Sequence, residues 1–118
     1  MSLDISGKWN FNQEFEFGLD QGVATIFQEG ETLSGFFEYV EKYEDNPPFS
    51  VRQDFIGSIH LNKIRITGTR AISPSGEILN DYNLDTLEGT YTHEGKIVGH
   101  SYDDEAVCGV FVLEKITE

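Results

Sequence analysis

Cysteine is nearly absent: Cys108 stands alone in 118 residues. A lone cysteine excludes an intramolecular disulfide and a cysteine-only zinc site, and it fits a reducing, cytoplasmic setting. Positive charge is scarce too, with 8 Lys plus Arg against 21 Asp plus Glu, a formal charge of −13. Such a surface repels phosphate backbones and anionic lipid headgroups, so neither a nucleic acid nor a membrane is an expected partner. No apolar run approaches the roughly 20 residues that a helix needs to cross a bilayer. The opening Met1-Ser2-Leu3-Asp4-Ile5 has neither the basic nor the apolar region of a signal peptide. Sustained helical periodicity is missing along the whole chain.

What is present is alternation. Short runs of alternating apolar and polar residues are broken at regular intervals by Gly, Asn, Pro and Asp, the pattern of an antiparallel meander. Eight strands are predicted: Gly7 to Glu16, Val23 to Gln28, Thr32 to Tyr43, Ser50 to His60, Ile64 to Ile72, Glu77 to Thr92, Lys96 to Tyr102 and Ala106 to Ile116. Residues 17–22 read as a turn. The Pro47-Pro48 pair forces a loop because proline removes a backbone donor. Within the long sixth strand the alternation slips near Asp85-Thr86, where a β-bulge would restore one buried face. In the third strand Leu33, Gly35, Phe37 and Tyr39 share a face, opposite Phe36 and Val40. The composition does not break along the chain, so residues 1–118 read as one domain.

Eight short antiparallel strands leave two unpaired edges unless the sheet closes or splits. Sequential short turns favour closure as an all-β, single, up-and-down barrel. Eight strands enclose room for packed side chains or one small ligand.

The residues Ser6-Gly7-Lys8-Trp9 carry a family resemblance. A Gly-x-Trp at the start of the first strand resembles the opening motif of the calycin barrels, the lipocalins and avidins. The resemblance implies that Trp9 closes one barrel end and packs against a basic residue near the last strand. Lys115 occupies that place here, where arginine is usual. The length is similar to that of avidins or short bacterial lipocalin-like domains. A lipocalin Thr-Asp-Tyr motif is not matched, since Asp81-Tyr82 falls too early in its strand. Biotin-binding avidins line their pocket with several tryptophans, and one tryptophan disfavours biotin here.

Motifs for chemistry are sparse. His60, His93 and His100 have no metal-ligand spacing, so no metal or other cofactor is expected. Asp81-Tyr82-Asn83-Leu84-Asp85 begins like a calcium loop, but Thr86 stands where glycine is required and Thr92 where the bidentate glutamate belongs. Asp103-Asp104-Glu105 reads as a solvated hairpin tip. No nucleophile elbow, phosphate loop or dinucleotide fingerprint occurs. Aromatic residues recur about once per strand, which suits either a filled core or a lined cavity. For a cavity, the expected ligand contacts are Tyr39, Tyr82, Tyr91, Arg52 and Arg70.

The last strand is apolar on both faces. Val107, Gly109, Phe111 and Leu113 form one, and Ala106, Cys108, Val110 and Val112 the other. A barrel interior covers one face only. A homo-oligomer contact through the second face is expected, with cover by the N-terminal segment around Leu3 and Ile5 as the other solution. The leading functional expectation is noncatalytic binding of a small, largely apolar ligand. An acidic protein-interaction module, of inhibitor or immunity type, is the alternative. A small barrel enzyme, an isomerase or hydratase, ranks third; a carboxylate buried in a cavity with a shifted pKa would raise it.

Overall fold

A computed structural model describes residues 3–117; Met1 and Ser2 of the opening segment read above, and Glu118, lie outside them. The strands are β1 Gly7–Phe15, β2 Gly18–Glu29, β3 Thr32–Tyr43, β4 Phe49–His60, β5 Lys63–Ile72, β6 Asp85–Tyr91, β7 Lys96–Asp103 and β8 Cys108–Lys115. Each pairs antiparallel with its sequence neighbours, and β1 pairs with β8 from Trp9↔Lys115 to Phe15↔Gly109. The result is a closed eight-stranded up-and-down barrel. Closure pairs the two outer strands that an open meander would leave exposed.

Side-chain alternation fills the interior in layers. At one end lie Ile26, Leu33, Ile59, Ile64, Ile97 and Leu113, all buried. Above them Phe11, Phe37 and Phe55 stack through ring centroids 4.6 and 4.8 Å apart, with Phe111 also buried. Close packing of this kind leaves the lower barrel solid.

The floor is closed from below. Ile5 is fully buried, and its carbonyl accepts a hydrogen bond from Trp9 Nε1 at 2.9 Å. Gln28 holds the same segment, accepting from Ile5 N and donating to the Leu3 carbonyl. Lys115 Nζ sits 5.1 Å from the Trp9 ring and donates to the Ser6 carbonyl. Gly7 permits this closure: its φ is +127°, and a Cβ there would collide with the Lys115 ammonium. The segment around Leu3 and Ile5 therefore turns under the barrel instead of covering the outer face of β8. On that face Cys108 and Val110 are exposed.

Two elements differ from expectation. β2 begins at Gly18 rather than Val23, because the chain reverses at Glu16-Phe17, where Phe17 takes φ 69°. The expected sixth strand, Glu77 to Thr92, is β-structured only over Asp85–Tyr91. Its first half is a loop, held by Leu79 N donating to the Ala71 carbonyl and by a single bridge between Ile72 and Ile78. The slip near Asp85-Thr86 thus marks a strand start. The barrel's bulge lies instead between β4 and β5, at Asp54/Phe55.

Candidate functional site

Extending each inward parity toward the end opposite Trp9 reaches polar side chains. Gln13 follows Trp9 and Phe11 in β1; Asp20 lies above Ala24 and Ile26 in β2. Glu41 follows Phe37 and Tyr39 in β3; Gln53 lies between Val51 and Phe55 in β4. Asp85 and Ser101 complete the ring from β6 and β7. All but Asp85 are buried, and Asp85 is half-buried. Burying so many polar groups is costly unless they bond one another.

Most of them do. Gln13 Nε2 donates to Asp20 Oδ2 at 2.8 Å. Gln53 Nε2 donates to the Tyr39 hydroxyl at 2.9 Å and to Asp85 Oδ2 at 3.3 Å, while its Oε1 accepts from Asp85 N. The Tyr39 and Tyr82 hydroxyls are 2.6 Å apart, and Tyr82 donates to Glu41 Oε1 at 2.8 Å. Tyr82 comes from the loop that replaces the first half of the expected sixth strand. It folds over the barrel end with Leu79 and Leu84, which pack against the core. Among the described residues two buried side-chain atoms have no hydrogen-bond partner, Gln13 Oε1 and Asp20 Oδ1.

Burial sets the protonation of this ring. Desolvation, then the neighbouring Glu41 carboxyl, pushes Asp20 up to about 10, so it is neutral at physiological pH. Asp85 is pushed up to about 6 by desolvation, held down in part by its bond from Gln53. Desolvation raises Tyr39 and Tyr82 well above the usual phenol range, and both stay neutral.

Above the ring is a cavity of about 200 Å³. Phe15, Tyr43, Phe49 and Val107 supply its apolar wall, and Gln13, Glu41, Tyr82, Asp85 and Ser101 its polar one. Asp81 and Asp103 also line it, and among the described residues no Lys or Arg does.

The structure brings Tyr39 and Tyr82 together at this mouth. It does not bring the other three expected contacts there. Arg52 and Arg70 lie on the outer surface, both paired with Asp54. Tyr91 ends β6 near the closed floor, its backbone N bonded to the Asn62 carbonyl. Gln13, Asp20, Glu41, Gln53 and Asp85 were not expected from the sequence. The signal that identifies them is parity carried past the last apolar residue of each strand. Among the described residues no group of three or more His, Cys, Asp or Glu is placed to hold a metal ion. His60 and His100 are exposed beside Glu31 and Glu88.

No protein-family model and no curated protein matches the sequence. Solved structures do share the architecture. A redesigned β-barrel, mFAP1, bound to DFHBI, superposes with a TM-score of 0.69 at 12% identity, over 94% of each chain. A second redesigned β-barrel, b11L5F_LGL, gives a TM-score of 0.67 at 13% identity, over 96% of this chain and 92% of that one. At such identity the likeness is one of fold.

Proposed function

We propose that the protein binds a small, largely apolar molecule at the open end of a calycin-like barrel, without transforming it. The observation that carries this reading is the cavity of about 200 Å³, walled by aromatics on one side and by the polar ring on the other. Convergent polar groups on an apolar wall are the usual makeup of a ligand site. The volume falls below the roughly 300–1,000 Å³ of drug-sized sites, so the ligand is small. Below the mouth the barrel is filled, which keeps the ligand near the rim. That a barrel of this architecture accommodates a small molecule is supported by the DFHBI complex of mFAP1. The Gly7-Lys8-Trp9 opening and the stacking of Lys115 on Trp9 support the calycin reading. Tyr82, Asp85 and the Phe15–Tyr43–Phe49 wall are the proposed contacts; Tyr39 acts behind Tyr82.

Native mass spectrometry of the purified protein, followed by denaturing spectra, tests the reading. A small mass lost on denaturation, and absent from Tyr82→Ala, is the expected result. A clean apo mass, together with no binding in a fragment screen, would favour an acidic interaction module.

A second reading rests on Asp85. A carboxyl pushed up to about 6 and lining a cavity is poised for proton transfer near neutral pH. On that reading the mouth is an acid–base site, and Asp85→Asn abolishes turnover while keeping ligand affinity. The exposed outer face of β8 is the proposed homo-oligomer contact.

A further inference from the structure

The chemistry of the mouth narrows the ligand class. Three properties of the site bear on it independently: its charge, its unfilled hydrogen-bond capacity and its aromatic wall.

The cavity is lined by Glu41, Asp81, Asp85 and Asp103, with no Lys or Arg among the described residues of its walls. Three of these four, Glu41, Asp85 and Asp103, accept hydrogen bonds through one oxygen only. Glu41 takes one bond from Tyr82, and Asp85 takes one from Gln53. A carboxylate has about four acceptor positions, so all three retain free ones. Acidic residues alone define no ligand, since a solvated rim has the same composition.

Gln13 adds the second observation. It is 3% exposed, it lines the cavity, and its Oε1 has no hydrogen-bond partner. A buried acceptor left unpaired is costly, and a donor that enters the cavity and reaches Oε1 would recover that loss. Among the groups that line the cavity the free capacity is therefore acceptor capacity, since the unpartnered Oδ1 of the neutral Asp20 lies behind that lining. It calls for a ligand that donates and that carries positive charge.

A metal ion fits poorly, because no three acidic or histidine ligands among the described residues are grouped to hold one. An ammonium group fits better. It supplies three donors and tolerates acceptors spread around it. The opposite wall, Phe15, Tyr43 and Phe49, suits the rest of such a molecule. Phe15 and Tyr43 meet edge to face at 5.5 Å, and Tyr43 and Phe49 are large apolar groups left exposed at the rim. Aromatic faces attract organic cations as well as covering apolar surface.

The geometry points to a small organic cation as the ligand, an ammonium group carried on an apolar body about the size of one aromatic ring. This inference rests on the reading of the mouth as a small-molecule site. The ammonium lies among Gln13, Glu41 and Asp85, and the apolar body lies against Phe15, Tyr43 and Phe49.

The test uses matched probes on the full chain at pH 7.5, followed by amide shifts in nitrogen-15 NMR spectra. The probes are 2-phenylethylammonium, 2-phenylethanol and phenylacetate, and the benzyl series benzylammonium, benzyl alcohol and benzoate. The ammonium members are expected to shift the amides of Gln13, Glu41 and Asp85, with at least ~tenfold tighter binding than the alcohols. The carboxylates are expected to leave these amides unmoved. Asp85→Asn should weaken ammonium binding by a larger factor than it weakens alcohol binding. Asp103→Asn, which can keep the turn bonds of Asp103 Oδ1 to Glu105 N and Val107 N, should weaken ammonium binding several-fold. Alcohols or carboxylates that bind the mouth as tightly as the ammoniums overturn the cation inference and leave the small-molecule reading intact. If no probe of either series shifts the mouth, both fall.

Discussion

The phenolic oxygens of Tyr39 and Tyr82 lie 2.6 Å apart although 43 positions separate the residues in the chain. Each hydroxyl has one proton to give. Tyr82 gives its proton to Glu41, so Tyr39 must give its own to Tyr82, and Gln53 completes the relay by donating to Tyr39. The relay runs Gln53, Tyr39, Tyr82, Glu41, and it ties the loop before β6 to the inside of β3 and β4. Tyr82→Phe removes the middle link. It leaves the Tyr39 proton and one Glu41 oxygen without these partners in a half-dry site, a loss of about 1–3 kcal/mol. Urea unfolding should show a lower midpoint at unchanged slope. An unchanged midpoint would mean that water replaces the phenol without loss.

Asp20 makes the stability of the barrel depend on pH. Its folded pKa, about 10, lies above the ordinary value of 3.8. Between those values the folded state holds a proton that the unfolded state has released. Stability therefore falls as pH rises through that window. Asp85, pushed up to about 6, adds a smaller fall confined to the acid side of neutrality. The protein should be more stable at pH 5 than at pH 8. Repulsion among the other acidic residues acts in the same direction, so the diagnostic is the difference between proteins. Asp20→Asn keeps an acceptor for Gln13 Nε2 and cannot ionise. It should be more stable than the parent at pH 8, with a flatter profile. Parallel profiles for the two proteins would show that Asp20 is not held neutral.

Strand positions were legible because the apolar alternation is strong at the floor and in the aromatic layer. Seven of the eight strands overlap their predicted spans nearly throughout or, for β2, in the lower half. The misses share a cause. Asp20 and Gln21 look like turn residues, yet Asp20 points into the barrel as a neutral acid. Ile78, Tyr82 and Leu84 look like one strand face, yet they belong to a loop; Leu84 and Tyr82 pack onto the core, while Ile78 remains exposed. A polarity pattern records how wet a side chain is, and it cannot separate a capping loop from a strand or a protonated carboxyl from a solvated one. The outward position of Arg52 and Arg70 has a plainer origin. Arg52 alternates with the inward Val51 and Gln53, and Arg70 precedes the inward Ala71, so both face outward, where they pair with Asp54 at the bulge between β4 and β5.

Gly35 is required by the curvature of β3. Its φ is +147°, and a Cβ there would overlap the Thr25 carbonyl and stand 3.0 Å from the Phe55 ring. That ring is the one that stacks on Phe37. Gly35→Ala must shift backbone against backbone or displace the aromatic layer, and it should cost about 2–4 kcal/mol. Gly30→Ala meets no neighbour within 4 Å and isolates the backbone strain alone, since its φ is +62°. Thermal melts should therefore rank Gly35→Ala well below Gly30→Ala. Equal melting points would mean that the packing around Gly35 yields freely.

The floor predicts a graded series. Trp9→Phe keeps most of the buried ring but loses the hydrogen bond from Nε1 to Ile5, an expected loss of roughly 1–2 kcal/mol. Trp9→Ala also empties the floor, for about 3–5 kcal/mol. Lys115→Met keeps the aliphatic contact with Trp9 and loses the bond to Ser6 and the cation–ring attraction, for about 1 kcal/mol at this exposed site. Guanidinium unfolding followed by circular dichroism orders the three. None should affect ligand binding at the other end, because the packed aromatic layer lies between; a loss of affinity in Trp9→Phe would show that the two ends are coupled.

The outer face of β8 tests the assembly. Val110 is 59% exposed and Val98 36% exposed, and Val98 pairs with Val112 across the β7–β8 ladder. His100 faces Val110 in the same register, so the apolar strip is narrow and bounded by polar neighbours. Burying such a strip against its two-fold copy removes apolar surface from both partners, while Glu14, cross-strand from Val110, and Glu114, two residues beyond Val112, add repulsion that salt screens. The charge of −13 opposes association at low salt, so the dimer should strengthen as salt is added. Native mass spectrometry and light scattering should find a dimer, and Val110→Glu should give a monomer with an unchanged circular dichroism spectrum. A parent protein that is monomeric at every salt concentration would leave the apolar strip of β8 as bare surface and remove the proposed contact.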